Sequence, residues 1–473
     1  MADRDPAHDE DHPKPGKSLR DRLWAREASQ QFGRLRPSRS ARSGLTRTQL
    51  VVLIAIPFVI LTAWLEWVPG LRLVLLGSAS LLFAASITLR GMALLTPAPD
   101  RPASRHASHA RRPFISIIIA AYDEARILPD LLARLEKLEY PRDRVEFLLA
   151  LEEGDRETIS VARAYQGPLA AQVLPTPPGE PQTKPRALNY ALRHARGELV
   201  GVYDAEDRPD PLQLLAAADA FEAGGPDLAC VQAPLNWYNR NQNWLTRQFA
   251  LEYAAHFRVM LPLYVRLGWP LPLGGTSNFF RADALRRVGA WDAHNVTEDA
   301  DLGFRLHRAG YRCGLLPAVT LEEAPFRLRP WFLQRTRWIK GYIQTFAVHS
   351  RRPDNTARKP HWMGLSLTLG TAIIAALLHL PFSLYSLWLA IVRPEILLAL
   401  WPFYLFTLFG YAAAVATAWL GMRRMGWTAR MTDLFSMPLY WPLLTASALR
   451  ALWQLAFNPY FWDKTEHGLV DED

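Results

Sequence analysis

Cys230 and Cys313 are the only cysteines in 473 residues. That scarcity excludes a disulfide framework and fits a reducing cytosolic setting. Charge is locally scarce as well. No Lys, Arg, Asp or Glu occurs from Trp362 to Val392 or from Ile396 to Met422. Each run exceeds the roughly 20 apolar residues that cross a bilayer, so a wholly water-soluble chain is excluded. Acidic residues are in deficit overall, and the formal net charge is +9. The excess points to anionic partners such as phospholipid headgroups or a nucleotide diphosphate. Nucleic acid is not expected, because the basic residues border apolar runs and do not form an aromatic-studded groove. The first apolar run begins near Leu50, too deep for a secretory leader, so none is expected. Solenoid-type internal repeats are also missing.

What is present divides the chain. Residues 1–48 are polar and basic, with only Asp21 and Glu27 as acids after His12, and read as a disordered tail. Residues 49–95 hold two apolar runs, roughly 49–67 and 71–95, which predict a membrane hairpin. Basic residues before it, and Arg101, Arg105, Arg111 and Arg112 after it, put residues 96–350 on the cytoplasmic side of an inner membrane. Two further spans are predicted within 351–431, turning at Arg393-Pro394-Glu395 and returning to Arg423, Arg424 and Arg430. Within 432–473, Leu434–Phe461 carries Pro438, Pro442 and Arg450, which suit an interfacial helix better than a fifth span.

From Phe114 the texture becomes alternating strand and helix. Phe114–Ala120, Val145–Leu151 and Leu199–Tyr203 read as strands, with helical patterns between them. This alternation predicts parallel βαβ units in an open sheet. Ligands of such sheets sit beyond the carboxyl ends of the strands. There stands Asp204-Ala205-Glu206, whose carboxylates at i and i+2 can share one hard divalent cation, or can simply be solvated. Thr297-Glu298-Asp299 opens a helical pattern, where acids also serve as caps. Gln334-Arg335-Thr336-Arg337-Trp338 lies in an aromatic, basic stretch that reads as an interfacial helix.

In that order and spacing the three motifs resemble those of family-2 glycosyltransferases, above all membrane polysaccharide synthases of the cellulose, hyaluronan and β-glucan type. The likeness covers about Pro113 to Lys340. It implies a GT-A, Rossmann-like nucleotide-diphospho-sugar transferase domain inserted between membrane helices. Smaller pieces are similar too: Ala121-Tyr122-Asp123-Glu124, Thr183-Lys184-Pro185-Arg186-Ala187-Leu188-Asn189 and Gly274-Gly275-Thr276. Leu151-Glu152-Glu153 departs from the family's usual Asp-Asp pair.

The resemblance implies an inverting transfer. Asp299 would be the base, and Asp204 and Glu206 would hold Mg2+ or Mn2+. Ala121, Tyr122, Glu124, Glu152, Lys184, Asp204, Arg335 and Arg337 would bind the donor, with Lys340 near the diphosphate. Gln334, Trp338, Glu298 and Thr276 would bind the acceptor. Trp462, Thr465 and His467 resemble a gating loop. A nucleotide-sugar donor, probed first as a UDP-hexose, and a glycan or lipid-linked acceptor are implied, with membrane lipids around them and export subunits as further partners. Elongation of a β-linked polysaccharide is the first expectation. Transfer of a single sugar to a lipid acceptor is the alternative, and a non-catalytic membrane scaffold the remote one.

Overall fold

The apolar run Ile115–Ala121 (β1) is almost wholly buried and lies between Val145–Glu152 (β2) and Leu199–Tyr203 (β4), parallel to both. Such two-sided burial is what a continuous Ile/Val/Leu run demands of a parallel strand. Ala171–Thr176 (β3) extends the sheet beyond β2. On the other side come Leu228–Gln232 (β6), Asn278–Arg281 (β8) and Arg312–Leu315 (β9), in the order β3-β2-β1-β4-β8-β6-β9. Only β8 runs antiparallel to its neighbours, β4 and β6. A small second sheet orders Arg208–Pro209 (β5), Thr320–Glu322 (β10) and Leu235–Trp237 (β7) as β5-β10-β7. The open α/β sheet expected from the sequence is therefore present. This computed structural model describes residues 19–65, 68, 70–98, 112–351 and 359–463.

Helices lie on both faces and continue into the membrane region. Gly77–Leu94, His361–Val392 and Trp401–Arg424 are long and apolar enough to cross a bilayer; Arg47–Ala63 is a shorter apolar helix. Small residues let these helices meet the catalytic domain closely. A Cβ on Gly421 would lie 2.4 Å from the Ala254 backbone, a contact that only glycine admits. Met437–Phe457 is a continuous helix despite Pro442. It packs through Ala448 and Ala451 against Ile339 and Ala376, and its Arg450 pairs with Asp463 at 2.7 Å. It is not among the described helices that are apolar enough to cross a bilayer.

The tail is a correction. Leu19–Leu35 forms a helix, and Pro37–Arg39 and Ala41–Ser43 form single 3₁₀ turns. The helix buries Ala25, Ala28 and Phe32, and Asn189 donates to the Ala28 carbonyl at 2.9 Å. Charge density concealed this i, i+3, i+7 stripe, which is too short and weak to stand alone and gains its stability from the domain beneath it. Beyond the helix, Ser40 Oγ and the Ala41 amide donate to the fully buried Asp292 carboxylate at 3.0 and 2.7 Å. Arg351 and Tyr460 donate to carbonyls of the same segment. Asp292→Ala strands three buried donors, the third being the His294 amide at 3.1 Å. It is expected to cost roughly 2–4 kcal/mol, read as a lower thermal midpoint of the detergent-solubilised protein.

Candidate active site

The carboxyl ends of β1, β2 and β4 open on one cavity of about 1060 Å³. Ala121, Tyr122 and Glu124 line it after β1, Glu152 at the end of β2, and Asp204 and Glu206 after β4. Thr297-Glu298-Asp299 enters from the start of the helix Glu298–Arg308, and Gln334, Arg337 and Trp338 from the helix Leu328–Ser350. These two helices touch at Gly341, where a Cβ would lie 2.3 Å from Thr297 Oγ1. Absence of a side chain there is what sets the acidic loop against the Arg-Trp helix. Sequence positions more than 200 apart, Ala121 and Trp338, thus share one space.

Charge in the cavity is sorted by its surroundings. Burial and neighbouring Asp299 push Glu298 up to about 8, and burial raises Asp299 as well. Asp299 Oδ1 accepts from the Ala300 amide at 2.9 Å, and its Oδ2 faces Gly275. Lys184 forms an ion pair with Asp204 and donates to the Gly275 carbonyl at 2.7 Å. Burial would lower Lys184, but Asp204 and Glu298 outweigh it and hold the ammonium charged. Arg337 has its Nε buried without a hydrogen-bond partner, and its guanidinium lies 4.5 Å from the Trp462 ring. Burial lowers its pKa and the carboxylates of Glu298 and Asp299 oppose that; an arginine stays charged under either influence.

A base with a raised pKa loses its function as pH falls through that value. Here kcat/KM for transfer is expected to fall on the acid side at a pH above the ordinary aspartate range, because burial raises Asp299. An acid limb no higher than that of a free aspartate would count against Asp299 as the base.

The structure separates residues that the motif alone grouped. Arg335 and Arg337 both line the cavity, but their contacts differ. Arg335 forms a bidentate pair with Glu252 at 2.8 and 2.6 Å, and its guanidinium lies 4.8 Å from the Trp338 ring. Two residues apart on a helix means about 200° of rotation, so the two guanidinium groups leave on different faces. Arg335 thus supports Trp338, which also stacks on Tyr253 at 5.9 Å. Lys340 is a second correction: fully buried, it donates to Gln454 Oε1 and the Phe461 carbonyl at 2.9 and 2.6 Å, and ties down the C-terminal segment. Thr276 is buried and donates to Asp207, so it braces the acidic loop. Glu152 pairs with buried Arg186. Gln334 Oε1 is buried and unpartnered at the cavity wall. Trp462 reaches the cavity, whereas Thr465 and His467 lie outside the described residues.

Glu322 was not legible beforehand. Strand β10 carries it into the cavity beside Asp207, Glu206 and Asp204, and burial followed by those three charges drives its pKa well up. Its only local signal is an acid on a short apolar strand. Asp207 Oδ1 and Glu322 Oε1 are buried without hydrogen-bond partners. These hard oxygens suit a cation, yet among the described residues no three His, Cys, Asp or Glu side chains are arranged as a metal site. Asp204 and Glu206, two oxygen donors at the same cavity, are of the type that a hard divalent cation takes.

Below the carboxylates the cavity changes character. Its wall passes to Leu82, Phe83, Ile374, Leu378, Phe382 and Phe403 of the membrane helices. One space therefore joins a polar, acidic chamber to an apolar one.

Comparison with known proteins gives the family. Residues 199–462 match the family described as glycosyl transferase family group 2. The β-monoglucosyldiacylglycerol synthase of Synechocystis sp. is 27% identical over 465 residues, 91% of this chain and 90% of the relative. Glucomannan 4-beta-mannosyltransferase 7 of Arabidopsis thaliana is 26% identical over 231 residues, 47% of this chain and 41% of that one. A solved structure, the mannosyltransferase PcManGT from Pyrobaculum calidifontis in complex with GDP-Man and Mn2+, is 22% identical. It covers 79% of this chain and 99% of its own at a TM-score of 0.49.

Proposed function

Because the chain belongs to glycosyl transferase family group 2, we propose that it transfers one hexose from a nucleotide-sugar to a hydroxyl of a lipid acceptor. The supporting observation is the single cavity that runs from Asp299 to the apolar walls of the membrane helices. A lipid whose acyl chains occupy the lower part presents its headgroup hydroxyl to the upper part. The name of the Synechocystis relative, aligned over nearly its whole length, supports the same acceptor class. Single transfer thereby displaces polysaccharide elongation as the first reading. Positive charge at the inner ends of the apolar helices supports a catalytic domain on the cytoplasmic face.

In the mechanism we infer, Asp299 accepts the acceptor proton while the hydroxyl oxygen attacks the anomeric carbon from the side opposite the diphosphate. The glycosidic bond forms as the bond from the anomeric carbon to the phosphate oxygen breaks, so the configuration inverts. Negative charge then grows on the nucleoside diphosphate. Arg337 and Lys184 meet it in a site with little water, where preorganised charge is most effective. Asp204 and Glu206 would hold a divalent cation, which would supply further Lewis-acid stabilisation of the diphosphate. Trp338 offers an apolar face to the acceptor, and Trp462 keeps the Arg337 guanidinium in place.

The direct test supplies purified protein with radiolabelled UDP-glucose, UDP-N-acetylglucosamine or GDP-mannose and vesicles containing diacylglycerol. Label should enter the organic phase as a lipid with one hexose. Label only in a long polymer would overturn the reading. Trp462→Ala is expected to lower kcat about three- to fivefold, the loss of one cation–π contact. Full activity in that variant would show that the ring does not hold Arg337.

A further inference from the structure

Arg90 is the only charged residue within the span Gly77–Leu94, and it lines the cavity. It lies four residues before the helix end, about 6 Å along the axis. The side chain turns toward the neighbouring helix and donates to Thr417 Oγ1 at 3.3 Å. Among the described residues no carboxylate lies within ion-pair reach of it. Around it the cavity is closed by Tyr264 and His256 from the catalytic domain and His379 from the helix Thr371–Val392. None of the three carries a fixed negative charge.

A guanidinium in a bilayer span is costly, and such residues pair with an opposite charge or mark a ligand path. Two facts locate the missing charge. Arg90 stands near the end of an apolar helix, in a cavity that the catalytic domain also lines, and lipid phosphates lie at the ends of bilayer spans. The wall on its membrane side is apolar, with Phe83, Ile374 and Phe382 among its residues, so the anion arrives attached to hydrocarbon. Phosphate is the anion whose geometry a planar guanidinium matches with two hydrogen bonds, and basic pockets between spans bind anionic headgroups.

We propose that Arg90 forms an anion subsite for the phosphate of a glycerophospholipid, with the acyl chains in the apolar part of the cavity. This rests on the reading of that cavity as the lipid's seat. Two lipids supply the same phosphate: the acceptor itself, if it is a phospholipid with a headgroup hydroxyl, or an anionic lipid lodged beside a neutral acceptor. In the first case the phosphate held by Arg90 would set how far the hydroxyl rises toward the base.

Binding is measured first, without any sugar donor, by native mass spectrometry of the full-length protein titrated with phosphatidylglycerol or phosphatidylcholine. Wild type should retain phosphatidylglycerol in preference. Arg90→Gln should weaken that retention about tenfold, the loss of a charge-assisted contact. Arg90→Lys should recover part of it. Arg393→Gln, in the turn after the helix Thr371–Val392, should match wild type. Equal retention by wild type and Arg90→Gln, or no preference over phosphatidylcholine in wild type, overturns the proposal. Transfer assays with labelled donor then distinguish the sources. A sugar on phosphatidylglycerol identifies the acceptor, and a sugar on diacylglycerol that forms faster with phosphatidylglycerol present identifies the neighbour. Failure of transfer to any lipid would sink the functional reading and leave the binding result standing by itself.

Discussion

Asp299→Asn is expected to lower kcat by about 10²–10⁴-fold while donor binding stays close to wild type. The amide keeps the size of the carboxylate and its acceptor oxygen for the Ala300 amide. It cannot take a proton from the acceptor hydroxyl. Glu298 does not substitute, because its carboxyl, at about 8, is largely protonated at neutral pH. Replacing Asp299 also removes one of the charges that raise Glu298, so any residual activity should titrate at a lower pH than in wild type. The measurement is single-turnover transfer with labelled donor, alongside nucleotide affinity by calorimetry. Wild-type turnover in this variant would exclude Asp299 as the base. Lost nucleotide affinity would instead place its role in donor binding.

Arg337→Ala should cost about 10²–10³-fold in kcat, the scale seen when one preorganised charge donor to a leaving group is removed. Its Nε is buried without a partner, and among the described residues no carboxylate is in ion-pair contact with it, so the guanidinium is held ready for an anion. Lys at this position should recover little, because a point charge does not reproduce the planar fork or its stacking on Trp462. Arg335→Ala makes the contrast. It leaves Glu252 without its partner and removes support from Trp338, so its defect should appear as poorer acceptor KM and a lower thermal midpoint. Equal kinetic defects in the two variants would contradict the separation of roles.

Much of the site was legible because the chemistry needs particular side chains at particular points of a regular fold. The β-branched run at Ile115–Ala121 has one low-energy home, the centre of a parallel sheet, and sheets of that kind expose the next few residues as ligand loops. Asp204, Glu206, Asp299, Arg337 and Trp338 accordingly reach one cavity. The helix at Leu19–Leu35 was less visible, since its apolar stripe is narrow and is stable only against the catalytic domain. The separate faces of Arg335 and Arg337 follow from helical rotation. Which face meets the donor does not.

The amino-acid sequence by itself determined the glycosyltransferase chemistry, the open α/β sheet and the presence of long apolar helices, because those depend on local pattern and residue type. Tertiary structure decided the rest. It brought Glu322 on its short strand beside the Asp204 loop, turned Lys340 away to hold the C-terminal segment, and set Arg90 in the wall of a cavity shared with Asp204 and Asp299. None of these is a property of neighbours along the chain. Each arises where elements far apart in sequence pack together, and packing decides which charges face a common space and which are spent on one another.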